Sequence, residues 1–280
     1  MVFKKISKLL LIEQTFFALP FAYLGLLFAG GDEIYTWIWV TLALVSARIA
    51  GMSYNRVIDA NIDAKNPRTK DRAIPSGEIS KLVVWLIAVL ASIIFISSAF
   101  MLNEICFYLS FIALFMLFTY SYIKRFSSTS HFYLGLVEAA APIGGYLAVI
   151  TRFDVVPFLL GAAIMLWITG LDIVYAIQDH DFDKDEGLNS IPVRFGKDKA
   201  LMISLILYII SIIMLIAAGV LTSRGISYWV SVICVILIFF RQQYIARKED
   251  IEIAIVDFFQ INTLVSPILF VGTFIDVMIK

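Results

Sequence analysis

The chain has 280 residues, of which 61% are hydrophobic and only 16% are charged, with a formal net charge of zero. A soluble domain carries roughly 25% charged residues, and here the apolar residues come in long blocks, so the composition excludes an ordinary soluble protein. The alternation of a transmembrane β-barrel is also missing, which leaves a helical protein that crosses a membrane several times.

Nine apolar blocks of 15 to 22 residues follow one another, and roughly 20 residues span a bilayer core as a helix. They cover residues 9–29, 35–54, 82–102, 105–123, 131–151, 157–177, 200–221, 226–240 and 258–277. The first block has no small-residue cleavage site and eight more follow it, so we interpret it as a retained helix and not as a signal peptide. We see no linker and expect an all-α protein of nine transmembrane helices, with one domain over residues 1–280.

Basic residues fall almost entirely in alternate connections between these blocks. One side holds Lys4, Lys5, Lys8, Arg56, Lys65, Arg68, Lys70, Arg72, Lys81, Lys124, Arg125, Lys184, Arg194, Lys197, Lys199, Arg241, Arg247 and Lys248. The other side holds only Arg152, Arg224 and Lys280. By the positive-inside rule the crowded side is cytoplasmic. We therefore expect a multi-pass protein of the cell (inner) membrane with its N-terminus in the cytoplasm and its C-terminus outside.

An acidic cluster follows the second block, in NRVIDANID at residues 55–63. Asn55, Asp59 and Asp63 are four residues apart, and such positions of a helix drift by only about 40° per step, so they share one face. A similar cluster follows the sixth block, where Asp179 and Asp183 repeat the spacing in IQDHDFDKD. Each cluster precedes an Ile-Pro segment on the same side of the membrane, which indicates a parallel four-helix pseudo-repeat.

Carboxylates at this density repel one another unless cations hold them. Mg²⁺ is commonly bound by one or two carboxylates together with water and substrate phosphates, so two clusters predict two magnesium ions bridged by a diphosphate. The bland alternative for a single pair is a solvated surface feature, but a second copy at a matching place in a repeat argues against it.

Cations near these clusters suit the same ligand. Arg68 and Arg72 follow the first cluster, Lys124 ends the fourth block and Arg194 follows the second cluster. Guanidinium groups bind phosphate oxygens in pairs, and ammonium groups act as point charges. The alternative is that these residues only set topology, and for Lys197, Lys199, Arg247 and Lys248 we accept that reading.

Taken in order, NRVIDANID, RTKDRAIPSG, YSYIK and DIVYAIQDHDFDKDEGLNSIPVRFG resemble the UbiA superfamily of intramembrane aromatic prenyltransferases over nearly the whole chain. The family motif NxxxDxxxD falls on Asn55, Asp59 and Asp63, and DxxxD falls on Asp179 and Asp183. The YxxxK motif falls on Tyr120 and Lys124. Each motif alone is weak, whereas three in order with the expected helices are specific.

The resemblance implies Mg²⁺ on the two acidic motifs and a polyprenyl diphosphate as donor, and it makes membrane lipid the surrounding medium. The Asp residues and Asn55 would hold the metal, and basic residues would stabilise the departing diphosphate. The stretch Tyr175–Gln178 and the segment SIPVRFG look most like the 4-hydroxybenzoate polyprenyltransferase branch, including its relatives in menaquinone synthesis. One departure is Ala73, where many members have proline, and it removes no ligand.

Ionisable residues within a span are costly and usually functional. Arg48 lies two turns before Asn55, where it could bind the carboxylate of an aromatic acid acceptor or instead pair with an intramembrane acid such as Glu13 or Glu138. Asp172 lies two turns before Asp179 and could accept a hydrogen bond or proton from the acceptor, or hold Arg48. We expect Tyr175 to line the same pocket.

Other functions remain open from the sequence alone. The same chemistry could prenylate a hydroxynaphthoate, haem or a chlorin. A cation-coupled transporter also uses intramembrane charges, but it is expected to place them near mid-membrane in broken helices. A CDP-alcohol transferase would carry a DG-AR-G-D-D signature that this chain lacks. We expect no nucleic-acid partner.

Overall fold

The structure, a computed structural model, describes residues 12–248 and 251–279, with side chains over 18–247 and 255–279. Over these residues it is built of helices and connecting turns, as the apolar blocks predict. The helices, numbered in chain order, are α1 (Ile12–Phe28), α2 (Ile34–Ile58), α3 (Ala60–Asp63), α4 (Lys81–Leu102), α5 (Glu104–Ile123), α6 (Ser130–Leu147), α7 (Val155–Ala176), α8 (His180–Asp185), α9 (Ile191–Phe195), α10 (Lys197–Leu221), α11 (Ile226–Lys248), α12 (Ile251–Asn262) and α13 (Val265–Ile279), with a 3₁₀ turn at Ile177–Asp179.

Seven helical segments in the described part of the chain are long and apolar enough to cross a bilayer. They are Ile34–Ile58, Lys81–Leu102, Glu104–Ile123, Val155–Asp185, Lys197–Leu221, Ile226–Arg247 and Ile255–Ile279. The protein is therefore a polytopic, all-α membrane protein, which confirms that part of the sequence prediction.

The other two predicted spans also form helices but do not reach the same length and composition. The described apolar part of α1 is only Ala18–Phe28, and residues 9–11 of its predicted block lie outside the described residues. Helix α6 has 18 residues and carries His131 and Glu138, which lower its hydropathy. The count of nine spans thus stays a prediction.

Among the described residues, one compact unit comprises residues 12–19 and Glu33–Tyr122. Within it α2 packs along α4. The Tyr54 hydroxyl on α2 hydrogen-bonds the Ser92 hydroxyl on α4 at 2.8 Å, and its ring meets the Phe118 ring of α5 edge to face at 5.4 Å. These contacts hold the end of α2 that carries the first acidic motif against α4 and α5. The sequence predicts that this end faces the cytoplasm.

The other compact unit comprises Pro20–Asp32 and the described residues from Ile123 onward. Here α7 packs against α6 and α10, and α11 packs against α13. The fully buried Trp167 of α7 lies between two further rings, 5.3 Å from Phe21 and 5.8 Å from Phe239, measured between ring centroids. Helix α7 leads directly into the second acidic motif. The packing of Trp167 therefore holds in place the helix that carries this motif. The prediction of a single domain over residues 1–280 stays a prediction.

Glycines allow α1 and α6 to approach closely within this second unit. A Cβ atom on Gly145 would collide with the main-chain carbonyl of Ala22, and one on Gly25 would collide with that of Pro142. Small residues at such crossings let backbones come near enough for van der Waals packing, which replaces the hydrophobic drive that lipid does not supply.

Candidate active site

The first acidic motif lies where α2 breaks. Helix α2 ends at Ile58, Asp59 adopts φ −89° and ψ 0°, and the short α3 follows. The amide of Asp59 still donates to the carbonyl of Asn55 at 2.9 Å, and the amide of Asp63 donates to the carbonyl of Asp59 at 2.8 Å. The sequence predicts that the motif lies on one continuous helix, but the helix breaks at Asp59. The hydrogen bonds between residues four apart persist across this break.

Both carboxylates of this motif are buried. The Asn55 side-chain amide donates to Asp59 Oδ2 at 2.9 Å and to Ser121 Oγ on α5 at 3.0 Å. Asn55 therefore orients the Asp59 carboxylate, and its own carbonyl oxygen is the atom suited to a metal ion. The Thr69 hydroxyl donates to the carbonyl of Asp63 at 3.0 Å, which ties the following loop back to the motif.

Arginines surround these carboxylates. Arg72 Nη1 donates to both oxygens of Asp63 at 2.8 Å. Arg56 is buried, and the charges of Asp59, Asp63 and Arg72 all act on its guanidinium. The sequence assigned Arg56 only to topology, and the signal that could have marked it is its place inside the motif, directly after Asn55. The negative charge of the first motif is thus balanced by two guanidinium groups.

Of the other predicted site residues in this unit, Arg48 and Tyr120 lie near the first motif, and Arg68 lies in the exposed loop that follows it. The charges of Asp59 and Arg48 both act on the Tyr120 hydroxyl, so Arg48 and Tyr120 lie in the same neighbourhood. Arg68 is exposed, and its backbone amide donates to Asn66 Oδ1 at 2.9 Å. The side chain of Glu13, one alternative partner for Arg48, lies outside the described residues.

The second motif reproduces the local backbone of the first. Helix α7 gives way to the 3₁₀ turn, and Asp179 adopts φ −97° and ψ 8° before α8 begins, close to the values of Asp59. Downstream, Ser80 accepts from the amide of Val83 at the start of α4, and Ser190 accepts from the amide of Val193 at the start of the short α9. These caps are not equivalent, because Ser80 follows its Ile-Pro pair and Ser190 precedes its own. The two motifs thus share the helix break at the first aspartate, and the pseudo-repeat stays a prediction.

Lys124 lies beside this second motif. The Asp183 carboxyl is close enough to Asp179 and Lys124 for their charges to act on it, and His131 lies nearby. The carbonyl of Lys124 accepts from the amide of Asn189 at 2.7 Å, so the loop after the motif is anchored to the end of α5. The structure thereby gathers Lys124 and both motif aspartates within one unit.

Three other predicted residues have definite contacts in the same unit. Arg194 is exposed, and its Nη1 donates to Ser128 Oγ at 3.3 Å. The Tyr175 ring meets the Phe259 ring edge to face at 5.1 Å. Asp172 hydrogen-bonds His131, a residue that the sequence analysis did not identify because nothing in the local pattern connects it to α7.

The residues of each motif fit a magnesium ion that shares its ligands with a substrate. Among the described residues, no three His, Cys, Asp or Glu side chains come close enough together to hold a metal ion by themselves. Each motif instead offers two carboxylates beside cations, and Mg²⁺ normally fills the rest of its octahedral shell with water and phosphate oxygens. The donor set is therefore suited to Mg²⁺ delivered with a phosphorylated ligand.

The model of the UbiA prenyltransferase family matches residues 18–264 of the chain. The chain is similar to the 4-hydroxybenzoate octaprenyltransferase of Francisella tularensis subsp. tularensis strain WY96-3418, at 29% identity over 278 residues, which cover 99% of this chain and 93% of the relative. It also resembles the apo structure of a UbiA homolog from Aeropyrum pernix K1, with a TM-score of 0.88, 32% identity, and coverage of 95% of this chain and 98% of that chain.

A second solved structure shares the fold at lower identity. The UbiA homolog from Archaeoglobus fulgidus bound to DMAPP and Mg²⁺ aligns with a TM-score of 0.73 at 18% identity, covering 99% of this chain and 100% of that chain. At this identity the likeness shows the fold alone.

Proposed function

The chain belongs to the UbiA prenyltransferase family and is therefore an enzyme, and we propose that it transfers a polyprenyl group from a polyprenyl diphosphate to an aromatic acid such as 4-hydroxybenzoate. The reaction depends on Mg²⁺ and serves quinone biosynthesis, of ubiquinone or menaquinone. The observation that carries the proposal is the buried Asp59–Asp63 pair with Arg56 and Arg72 beside it. Full-length similarity to a 4-hydroxybenzoate octaprenyltransferase supports the choice of acceptor.

The donor is held through its diphosphate. Asn55, Asp59 and Asp63 of the first motif, and Asp179 and Asp183 of the second, supply the Mg²⁺ ligands. When bound, Mg²⁺ neutralises phosphate oxygens and stabilises charge on the leaving group. The cations contribute directly to the same end. Arg68 and Arg72, together with Lys124 and Arg194, hold phosphate oxygens and favour their departure.

Chemically the transfer is an aromatic substitution. The bond between the allylic C1 and the diphosphate oxygen breaks, a carbon of the electron-rich ring bonds to C1, and the ring proton passes to the released diphosphate. The cationic character of C1 requires that water be kept away, which a site within an apolar helix bundle achieves. The prenyl tail is as apolar as lipid, so a membrane-embedded enzyme meets its donor without extracting it from the bilayer.

The acceptor is oriented through its polar groups. We assign Arg48 to the ring carboxylate, because a guanidinium within the membrane span is suited to a planar, two-point carboxylate contact. Asp172 accepts a hydrogen bond from the ring hydroxyl, and the Tyr120 and Tyr175 side chains contribute to the pocket. Both motifs open to the cytoplasm, in keeping with the positive-inside distribution of basic residues.

The decisive experiment is an assay of the purified, detergent-solubilised protein with a panel of prenyl diphosphates of different length. Acceptors are 4-hydroxybenzoate, hydroxynaphthoates and phenols without a carboxylate. We expect turnover with 4-hydroxybenzoate, its loss on chelation and its recovery with Mg²⁺. Full activity in excess chelator, or transfer only to acceptors that lack a carboxylate, contradicts the proposal.

Variants test the motifs individually. Asp59→Asn and Asp179→Asn should each lower kcat at least about 100-fold, because an interaction that strengthens in the transition state is worth about tenfold per 1.4 kcal/mol. Matched controls are Asp71→Asn and Asp181→Asn, which remove a carboxylate from an exposed position in the same two segments. Equal loss in motif and control variants would point to general charge rather than to the metal site.

A further inference from the structure

A buried histidine connects three parts of the second unit. His131, in the first turn of α6, has a side chain only 4% exposed. Its Nδ1 lies 2.7 Å from Asp172 Oδ2 on α7. Its Nε2 accepts a hydrogen bond from the amide of Ile191, at the start of α9, at 3.2 Å. Both ring nitrogens are therefore engaged, one by a carboxylate and one by the main chain.

The main-chain contact fixes the tautomer. A backbone N–H can only donate, so Nε2 of His131 must be the unprotonated, accepting nitrogen of the ring. The proton of the neutral imidazole then lies on Nδ1, where it donates to Asp172. Because the amide of Ile191 cannot rotate away, the ring presents this donor permanently to the carboxylate.

The backbone that carries the imidazole is itself held firmly. The Thr169 hydroxyl of α7 lies 3.3 Å from the carbonyl of His131 and 2.7 Å from that of Met165. One turn further along α6, a Cβ atom on Gly135 would collide with Thr169 and with the Met165 carbonyl. The two helices therefore approach as closely as backbones allow beside His131, and the ring has little freedom to shift.

Asp172 differs from His131 in exposure. Its side chain is 29% exposed, so the imidazole covers one edge of the carboxylate and leaves the other accessible. Oδ2 is taken by His131, whereas Oδ1 makes no hydrogen bond or ion pair with the side chains that the structure describes. Asp172 also lies two turns before Asp179, and Ile191 follows Asp183 by eight residues. The residues that His131 contacts therefore flank the second motif in the sequence.

We propose that His131 is a positioning residue, whose Nδ1–H holds the Asp172 carboxylate so that Oδ1 receives a hydrogen bond from the hydroxyl of the aromatic acceptor. The inference rests on the proposed function, in which the acceptor is a phenolic ring. A hydroxyl that donates to a carboxylate releases electron density into its ring, which makes the neighbouring ring carbon a better nucleophile. His131 acts only through Asp172 and touches no substrate.

Two amide substitutions separate this role from simple support of the loop. The side-chain nitrogen of asparagine falls near the place of Nδ1, so His131→Asn keeps a donor for Asp172 but loses the contact with Ile191. The amide of glutamine falls near the place of Nε2, so His131→Gln keeps an acceptor for Ile191 but loses the donor for Asp172. Steady-state kinetics for each substrate and thermal unfolding are measured for both variants.

If His131 positions Asp172, His131→Gln should raise the acceptor KM or lower kcat about tenfold or more, the loss expected for one hydrogen bond to a charged group. His131→Asn should stay within about threefold of wild type, since it retains that bond. The KM for the prenyl diphosphate should not change in either variant. Ser211→Ala is the control. It removes a buried hydroxyl of α10 that donates to the carbonyl of Ala163, on the part of α7 far from Asp172, at 2.7 Å. This variant should alter stability without altering acceptor kinetics.

Asp172→Asn supplies a second, independent test. Its loss of acceptor kinetics should be at least as large as that of His131→Gln, and the double variant should be no worse than Asp172→Asn alone, because His131 acts through Asp172. This comparison also serves if His131→Gln does not fold, since Asp172→Asn can then be compared with His131→Asn.

Equal acceptor kinetics in His131→Asn and His131→Gln, or additive losses in the double variant, would overturn the inference and leave His131 as a loop anchor. Failure of the proposed function looks different, because then wild-type protein itself would transfer no prenyl group to a phenolic acid.

Discussion

A buried ion pair closes the connection between α10 and α11. Arg224 Nη1 lies 3.7 Å from Asp276 Oδ2 on α13, with side chains 8% and 3% exposed. The Gly225 amide donates to Asp276 Oδ1 at 2.6 Å, and the guanidinium carbon lies 4.0 Å from the centre of the Phe28 ring. Burial lowers the pKa of Arg224 from its ordinary value, and the Asp276 carboxylate opposes that shift. Asp276→Ala therefore removes both the partner of a desolvated cation and the acceptor of the part-buried Gly225 amide.

The contacts set the expected cost. Removing one partner of a buried ion pair costs about 3–5 kcal/mol, and a hydrogen bond to a charged group accounts for about 1.5–3 kcal/mol of such a loss. Asp276→Asn keeps an oxygen for Gly225 and should cost less. Arg224→Ala should also cost less than Asp276→Ala, because Asp276 then retains the Gly225 donor. At about 2–4 °C per kcal/mol for a chain of this size, Asp276→Ala should lower Tm by about 6–20 °C.

Thermal unfolding of the purified protein in detergent, at one scan rate, measures this difference. The control is Arg152→Ala, which breaks a pair with Asp154 (3.2 Å) whose arginine is 76% exposed, and exposed pairs are worth about 0–1 kcal/mol. If Asp276→Ala and Arg152→Ala shift Tm equally, burial does not govern the contribution of the Arg224 pair and the reasoning is wrong.

Lys124→Ala should raise the KM for the prenyl diphosphate about tenfold, as for one charge-assisted contact, while the exposed Lys199→Ala stays normal; equal kinetics would assign Lys124 to topology. Arg48→Lys keeps the charge but loses the planar fork, so it should raise the acceptor KM and leave the prenyl diphosphate KM unchanged; a normal acceptor KM makes Arg48 structural. Gly145→Ala should destabilise the protein by about 1–3 kcal/mol, because the added Cβ atom collides with α1. The Cβ atom added by Gly144→Ala has no neighbour within 4 Å, so this variant should unfold like wild type.

The local sequence pattern predicts the fold class, the first acidic motif and the family of this protein. Apolar blocks of bilayer length predict the all-α membrane class because a helix satisfies its own backbone hydrogen bonds in lipid. Four-residue spacing brings Asn55, Asp59 and Asp63 together for a similarly local reason, and it survives although α2 breaks at Asp59. The family follows from such short motifs in order, since each carries its chemistry within a few residues.

The contacts between distant segments could not be read from any pattern. His131 meets Asp172 across 41 residues and Ile191 across 60, and Asp276 meets Gly225 across 51. Such pairs depend on how helices cross and rotate, which periodicity leaves undetermined, so an isolated histidine looks like any other. Only packing decides which polar groups are removed from solvent together, and a buried polar group without a partner is costly enough to fix those pairings.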